Sequence, residues 1–164
     1  MMGLLGGILG FARQRAENLL AALLAVMFGA FLLQIFTRYV TAAPLSWTSE
    51  VSTFAWLWGI LWGAALVLRD DEEIRFDLIY SRMPQSIRRS FDVLASGAVV
   101  SVFTYSLPAM ADYVFFMKVE RSAYLGIRMD WAFSVYLIFA IAMIIRHSAI
   151  MLRSLFPALG GARS

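Results

Sequence analysis

The sequence predicts an all-α membrane protein of four transmembrane helices with amphipathic interfacial arm helices, and three observations lead there. Four apolar runs, at about residues 19–37, 51–68, 93–117 and 131–152, fill more than half of the 164-residue chain and hold almost no ionisable side chain. Each is long enough, at ~1.5 Å per residue, to cross a hydrocarbon core of ~30 Å. In lipid every backbone N–H and C=O must find its partner within its own segment, which selects helix over strand for such runs. The composition agrees: 61% of residues are hydrophobic and the mean hydropathy is +0.74. Trp47, Trp131 and Tyr39 fall close to span ends, where amphipathic rings prefer the interface.

Basic residues set the orientation. Arg13, Arg15, Arg69, Arg75, Arg82, Arg88, Arg89, Arg146, Arg153 and Arg163 lie on the side of the termini; Arg38, Lys118, Arg121 and Arg128 lie on the other. By the positive-inside rule this asymmetry places both termini in the cytoplasm. The competing reading of the N-terminus, a cleaved signal peptide, requires a shorter apolar stretch than the one present. The net charge of +3 sits at span ends and is no nucleic-acid footprint. With no cysteine there is neither a disulfide framework nor a thiolate metal site. No linker or repeat divides residues 1–164, so one domain is expected.

In chain order, the first fifteen residues carry Leu4, Leu5, Ile8, Leu9 and Phe11 before Arg13 and Arg15, a pattern of either a surface helix or a frayed terminus. Span one is expected after Glu17 and Asn18, which suit the positive end of a helix dipole. It ends near Gln34 and Arg38. A turn through Ala42, Ala43, Pro44 and Leu45 leads to Ser46 as N-cap, with Glu50 in the first turn of span two. Within span two, Ala55, Gly59 and Gly63 recur every four residues, a small-residue stripe that lets a neighbouring backbone approach closely. Span one offers Ala21, Ala25 and Gly29 as the matching series, although small residues are common in any membrane helix. Trp58 and Trp62 occupy an adjacent face, toward lipid or toward a partner.

Span two stops at Arg69, before the acidic run Asp70, Asp71, Glu72, Glu73. Four consecutive carboxylates cannot all face one ion, so a solvated cap is favoured over a metal site. From Ile74 to Asp92, apolar residues interleave with Arg75, Asp77, Arg82, Arg88 and Arg89, and Pro84 breaks the stretch in two. It reads as one or two interfacial arms, with the apolar side in acyl chains and arginines among phospholipid headgroups. Pro108 falls inside span three. No span has a charge at its centre, where one serves an ion or substrate route. His147 is the sole histidine, so bis-histidine haem ligation within the chain and a catalytic His cluster are both excluded. No enzyme is expected, and no cofactor.

The residues that remain carry a resemblance. Gln34-Ile35-Phe36-Thr37-Arg38-Tyr39, Pro44-Leu45-Ser46-Trp47-Thr48-Ser49-Glu50, Gly63-Ala64-Ala65, and Ile74-Arg75-Phe76-Asp77-Leu78 followed by Met83-Pro84 stand in this order among four spans. From about Glu17 to Arg153 the chain resembles the small, DctQ-type membrane subunit of tripartite ATP-independent periplasmic (TRAP) transporters. It departs from the family pattern at Glu72 and Glu73, where Gly-His is frequent, and at Ala132 to Leu137, which lacks an early Pro-x-Gly. The resemblance implies a scaffold subunit in the bacterial inner membrane, forming a stable heterodimer with a large permease subunit that carries sodium-driven transport. A periplasmic substrate-binding protein would dock transiently and deliver a small organic acid of the C4-dicarboxylate or sialic acid type. Arg38, Trp47 and Glu50, on the hairpin between spans one and two, match family motif positions and are candidates for docking or for holding the hairpin. The plainer reading is an Arg–Glu pair at the membrane surface beside an anchoring Trp. Arg75 and Asp77 match the cytoplasmic motif and would pin the arm. The alternative function is a membrane anchor or assembly subunit of another complex, for instance a respiratory one.

Overall fold

The computed structural model of the chain describes residues 2–41, 45–68 and 84–155. Four helices account for most of them: α1 (Met2–Phe36), α2 (Ser46–Trp62), α3 (Gln85–Phe116) and α4 (Met129–Leu155). All four are long and apolar enough to cross a membrane. They alternate in direction, so the start of α1, the end of α2, the start of α3 and the end of α4 share one end, called basal below. The α1–α2 and α3–α4 connections share the other, apical end.

The first helix is continuous from Met2. Its early glycines each cost about 1 kcal/mol of helix propensity, but the following span already nucleates the helix, which removes the unfavourable first step. Glu17 therefore lies inside α1, where it pairs with Arg13 at 2.8 Å one turn away, rather than at a helix start. At the apical end α1 widens into a π-helical turn, Thr37–Thr41. The Thr37 hydroxyl donates to the carbonyls of Leu33 (3.0 Å) and Gln34 (3.2 Å), competing with the ladder where the spacing changes. α2 begins at Ser46 itself, so its N-cap falls one residue before the expected one. Leu45 is its N-cap, and the buried Thr48 closes the first turn on the Leu45 carbonyl through its hydroxyl (2.6 Å) and its N–H (3.2 Å). A second π turn, Gly63–Val67, ends it, with the Leu68 N–H reaching the Gly63 carbonyl at 2.9 Å.

Pro84 stands in extended conformation at the start of α3, its carbonyl accepting the Ile87 N–H at 3.0 Å. The half of the expected arm that follows Pro84 is thus the opening of α3 and not a separate piece. The half before it, with the acidic run, Arg75 and Asp77, lies outside the described residues.

Packing arranges the helices in an open row, α1–α2–α4–α3: α1 packs on α2, α2 on α4 and α4 on α3. Burial follows this order. From residue 10 to 40, the positions that are not exposed are Arg13, Ala16, Leu20, Leu23, Met27, Ala30, Gln34 and Thr37, alternately three and four apart. That is the seam of an antiparallel coiled coil, narrow because α1 has one neighbour. The inner helix α2 is the reverse, leaving one exposed stripe at Ser49, Thr53, Trp56 and Ile60 besides Trp47 in its first turn. Where helices meet, the buried apolar residues are small: Ala16, Ala30, Ala55, Val114, Ala132, Val135 and Ala140. Between α3 and α4 the contact is aromatic as well, with Phe103 edge-on to Phe139 (5.6 Å between centroids) and Tyr113 near Phe133 (6.0 Å).

Candidate functional site

Since no described residues gather into a chemical centre, the site is the device that fixes α2 between its neighbours. It works at three heights. Around the middle, the small-residue stripe faces α1: Ala55 and Gly59 are buried, and a Cβ at Gly59 or Gly63 would meet Leu20 at 3.8 and 3.3 Å. The stripe therefore receives a leucine side chain. The expected matching series on α1, Ala21, Ala25 and Gly29, is instead exposed, and a Cβ at Gly29 would meet nothing within 4 Å. The α1 seam follows an alternating spacing of three and four through Leu20, and a strict spacing of four drifts off it. Trp58 and Trp62 grip opposite neighbours. The Trp58 indole N–H donates to the Ala132 carbonyl of α4 at 3.0 Å, and that of Trp62 to the Ala16 carbonyl of α1 at 3.3 Å. Neither faces lipid alone.

At the basal end, the π turn leaves carbonyls at the negative end of the α2 dipole, and two arginines reach them from either side. Arg13 of α1 donates to the Val67 carbonyl at 3.3 Å, and Arg146 of α4 to the Ala64 carbonyl at 3.4 Å. Both bonds are long, but the charge complementarity is favourable on each flank.

At the apical end the holding residue is Glu50. Its two carboxylate oxygens accept the backbone N–H groups of Tyr124 and Leu125, each at 3.0 Å, tying the first hairpin to the connection between α3 and α4. That connection is itself structured. The Ser122 N–H bonds the Ile127 carbonyl at 2.8 Å, the Met129 N–H bonds the Glu120 carbonyl at 3.0 Å, and Arg121 faces Arg128 in an antiparallel bridge. Gly126 turns it with a φ of +65°, a left-handed conformation that glycine adopts without a Cβ clash. Arg128 forks onto Asp130 at the start of α4 with contacts of 2.6 and 3.1 Å.

Of the sequence candidates, Glu50, Ala55, Gly59 and Gly63 thus meet on one device. Arg38 stands apart on the π turn of α1, exposed beside Gln34 and Tyr39, and Trp47 projects from the first turn of α2. Glu50 engages the backbone of the opposite loop, so the expected surface pair with Arg38 is not the arrangement. Sequence reasoning missed Arg13, Leu20, Arg146 and the roles of Trp58 and Trp62. Among the described residues no three His, Cys, Asp or Glu side chains are grouped to hold a metal ion. The chemistry offered is mechanical: a helix held by side-chain donors and acceptors on both flanks.

Two comparisons place this architecture. The family described as tripartite ATP-independent periplasmic transporters, DctQ component, matches residues 27–156. The chain is also similar to the sialic acid TRAP transporter permease protein SiaT of Haemophilus influenzae (strain 86-028NP), 26% identical over 134 residues. That similarity covers 79% of this chain and 21% of the relative, so the chain spans about one fifth of the length of the protein it matches.

Proposed function

This chain belongs to the DctQ component family of TRAP transporters, and from that premise we propose that it is the static scaffold subunit of a sodium-coupled, binding-protein-dependent importer of a small organic acid. Family membership favours this over an anchor in a respiratory complex. The single observation that carries the scaffold role is the triple hold on α2, by Glu50 at one end, Trp58 and Trp62 along the middle, and Arg13 with Arg146 at the other. A subunit that moved one helix against another during transport would have to break these contacts, whereas a platform keeps them. The spans also lack a charge at their centres, which is where a coupled ion would be expected to find its ligand.

In this reading the basal end is cytoplasmic and the apical end periplasmic, as the arginine distribution favours. The large permease subunit binds the row stably and supplies the moving, sodium-binding part. The binding protein approaches the apical side, where Arg38, Trp47 and the braced loop are displayed. Phospholipid fills the rest of the perimeter. The substrate class is that of C4-dicarboxylates or sialic acids, the latter supported by the name of the relative.

Reconstitution tests it. Proteoliposomes holding this chain alone should take up neither sialic acid nor succinate under a sodium gradient. Those holding it with the large subunit should take up one of them once loaded binding protein is added. Sodium-dependent uptake by the chain alone would refute the scaffold role.

A further inference from the structure

The two outer helices of the row display different chemistry. On α1 the exposed residues within the span, Leu24, Phe28, Phe31, Leu32 and Ile35 among them, are all apolar and suited to acyl chains. On α3 the exposed set includes Ser101, Thr104, Tyr105, Asp112 and Tyr113. Tyr105 is 89% exposed and sits at the middle of the apolar segment Arg89–Val119. Tyrosine favours the membrane interface, where its hydroxyl reaches water; at mid-depth that hydroxyl needs a protein partner. Pro108 adds to the demand, since it has no N–H to give the Thr104 carbonyl one turn back. In hydrocarbon, such backbone and side-chain groups are costly unless another protein segment meets them. Beside the stripe, between α3 and α4, opens a groove of about 500 Å³ lined by Tyr105, Ala109, Tyr113, Phe133 and Tyr136. A lipid chain would fill the groove but leave the polar stripe unmet.

Building on the scaffold reading above, we propose that the large permease subunit docks on the exposed face of α3, over Ser101, Tyr105, Pro108 and Asp112, with a bulky side chain in the adjoining groove, and that the outer face of α1 is left to lipid. Two facts point to this occupant. The partner must lie in the same membrane beside this unit, as the four fifths of the H. influenzae permease outside the match are joined to its similar segment in one chain. Moreover, α3 stands at one end of the row with α4 as its packed neighbour, so its outer face is left open by this chain, and unlike the outer face of α1 at the other end it carries polar side chains.

The test uses the intact complex. A photoreactive benzoylphenylalanine replaces Tyr105 in one variant and Phe31 in another, both exposed positions with room for the added benzoyl group, and each is co-expressed with the large subunit and irradiated in membranes. The expected result is a cross-linked band of the two subunits from position 105 and none from 31. A band from 31 and not 105, or no band from either while the subunits still copurify, overturns the proposed face and leaves the scaffold reading standing. Cross-linking of 105 to a second copy of this chain, or to lipid only, overturns it also. Failure of the unmodified subunits to copurify would sink the scaffold reading itself. As a second readout, Tyr105→Leu combined with Asp112→Leu should reduce the large subunit recovered with this chain while its own helical content is retained. Unchanged recovery would contradict the proposal.

Discussion

Helices α2 and α3 are both apolar membrane spans, yet they place their polar groups in opposite directions. The polar side chains of α2 that matter, Glu50, Trp58 and Trp62, turn toward neighbouring segments of the same chain and find backbone partners there. Those of α3, Tyr105 and Asp112 above all, turn outward. In water such a contrast would mean little, because solvent satisfies any exposed group. In a bilayer it separates two roles: polarity met inside the chain fixes its shape, and polarity left on the surface marks where another protein belongs.

The largest effect that would break this contrast is expected at Gly63. A leucine there collides with Leu20, whose side chain lies only 3.3 Å from where a Cβ would stand, and overpacking of this kind costs about 1–3 kcal/mol. Gly63→Leu should lower the melting temperature of the solubilised protein and loosen α1 from α2. Gly63→Ala should be mild, since the contacted atom is the end of a mobile side chain. The matching control is Gly29→Leu, which meets open space and should melt like the wild type. A drop equal to that of Gly63→Leu would restore the small-on-small packing that the α1 seam replaces.

Glu50→Gln comes next. The amide keeps one acceptor oxygen and loses the charge, so one of the two backbone N–H groups at Tyr124 and Leu125 is left without its carboxylate partner. Amide exchange at 124 and 125 should speed up, with the helix interiors unchanged. Equal protection in the variant would show that the loop is held by its own hydrogen bonds and Gly126 alone.

Smallest are the tryptophans. Trp58→Phe keeps a smaller aromatic ring and loses the indole N–H with its hydrogen bond, worth about 0.6 kcal/mol between membrane helices, and Trp62→Phe, with the same ring change and the longer bond of 3.3 Å against 3.0 Å, should cost less. Thermal melting of the two variants checks both the size and the order.

The four spans were legible because crossing a membrane demands only length and apolarity. With the π turn of α2 included, their C-terminal ends fell within three residues of those expected, whereas α1 and α3 start well before the expected 19 and 93, at Met2 and Gln85, because the stretches before those spans continue as helix. The stripe Ala55–Gly59–Gly63 was legible as a place of close approach. Its partner was not, because Leu20 belongs to a seam whose members range from alanine to glutamine and carry no common residue type. Glu50 was singled out, but its partners are backbone N–H groups 74 and 75 positions away, and a backbone donor leaves no mark in the sequence. The same holds for the carbonyls that receive Trp58, Trp62, Arg13 and Arg146. Gly126, in a loop between two charged arms, was the one signal that could have revealed a structured turn.

The claim that α2 is the fixed centre of a static platform meets its most direct test in a distance measurement. Because the chain has no cysteine, cysteine pairs introduced at the exposed positions Phe28 with Ile60, and Ile60 with Ile145, of α1, α2 and α4 can carry two spin labels each without further change to this chain. Pulsed electron–electron resonance on the reconstituted complex would compare the α1–α2 and α2–α4 distances with and without sodium, substrate and loaded binding protein. A static platform gives the same distance distributions in every state. A shift of either distance on adding sodium and substrate would show that these helices move during transport and that the scaffold reading is wrong.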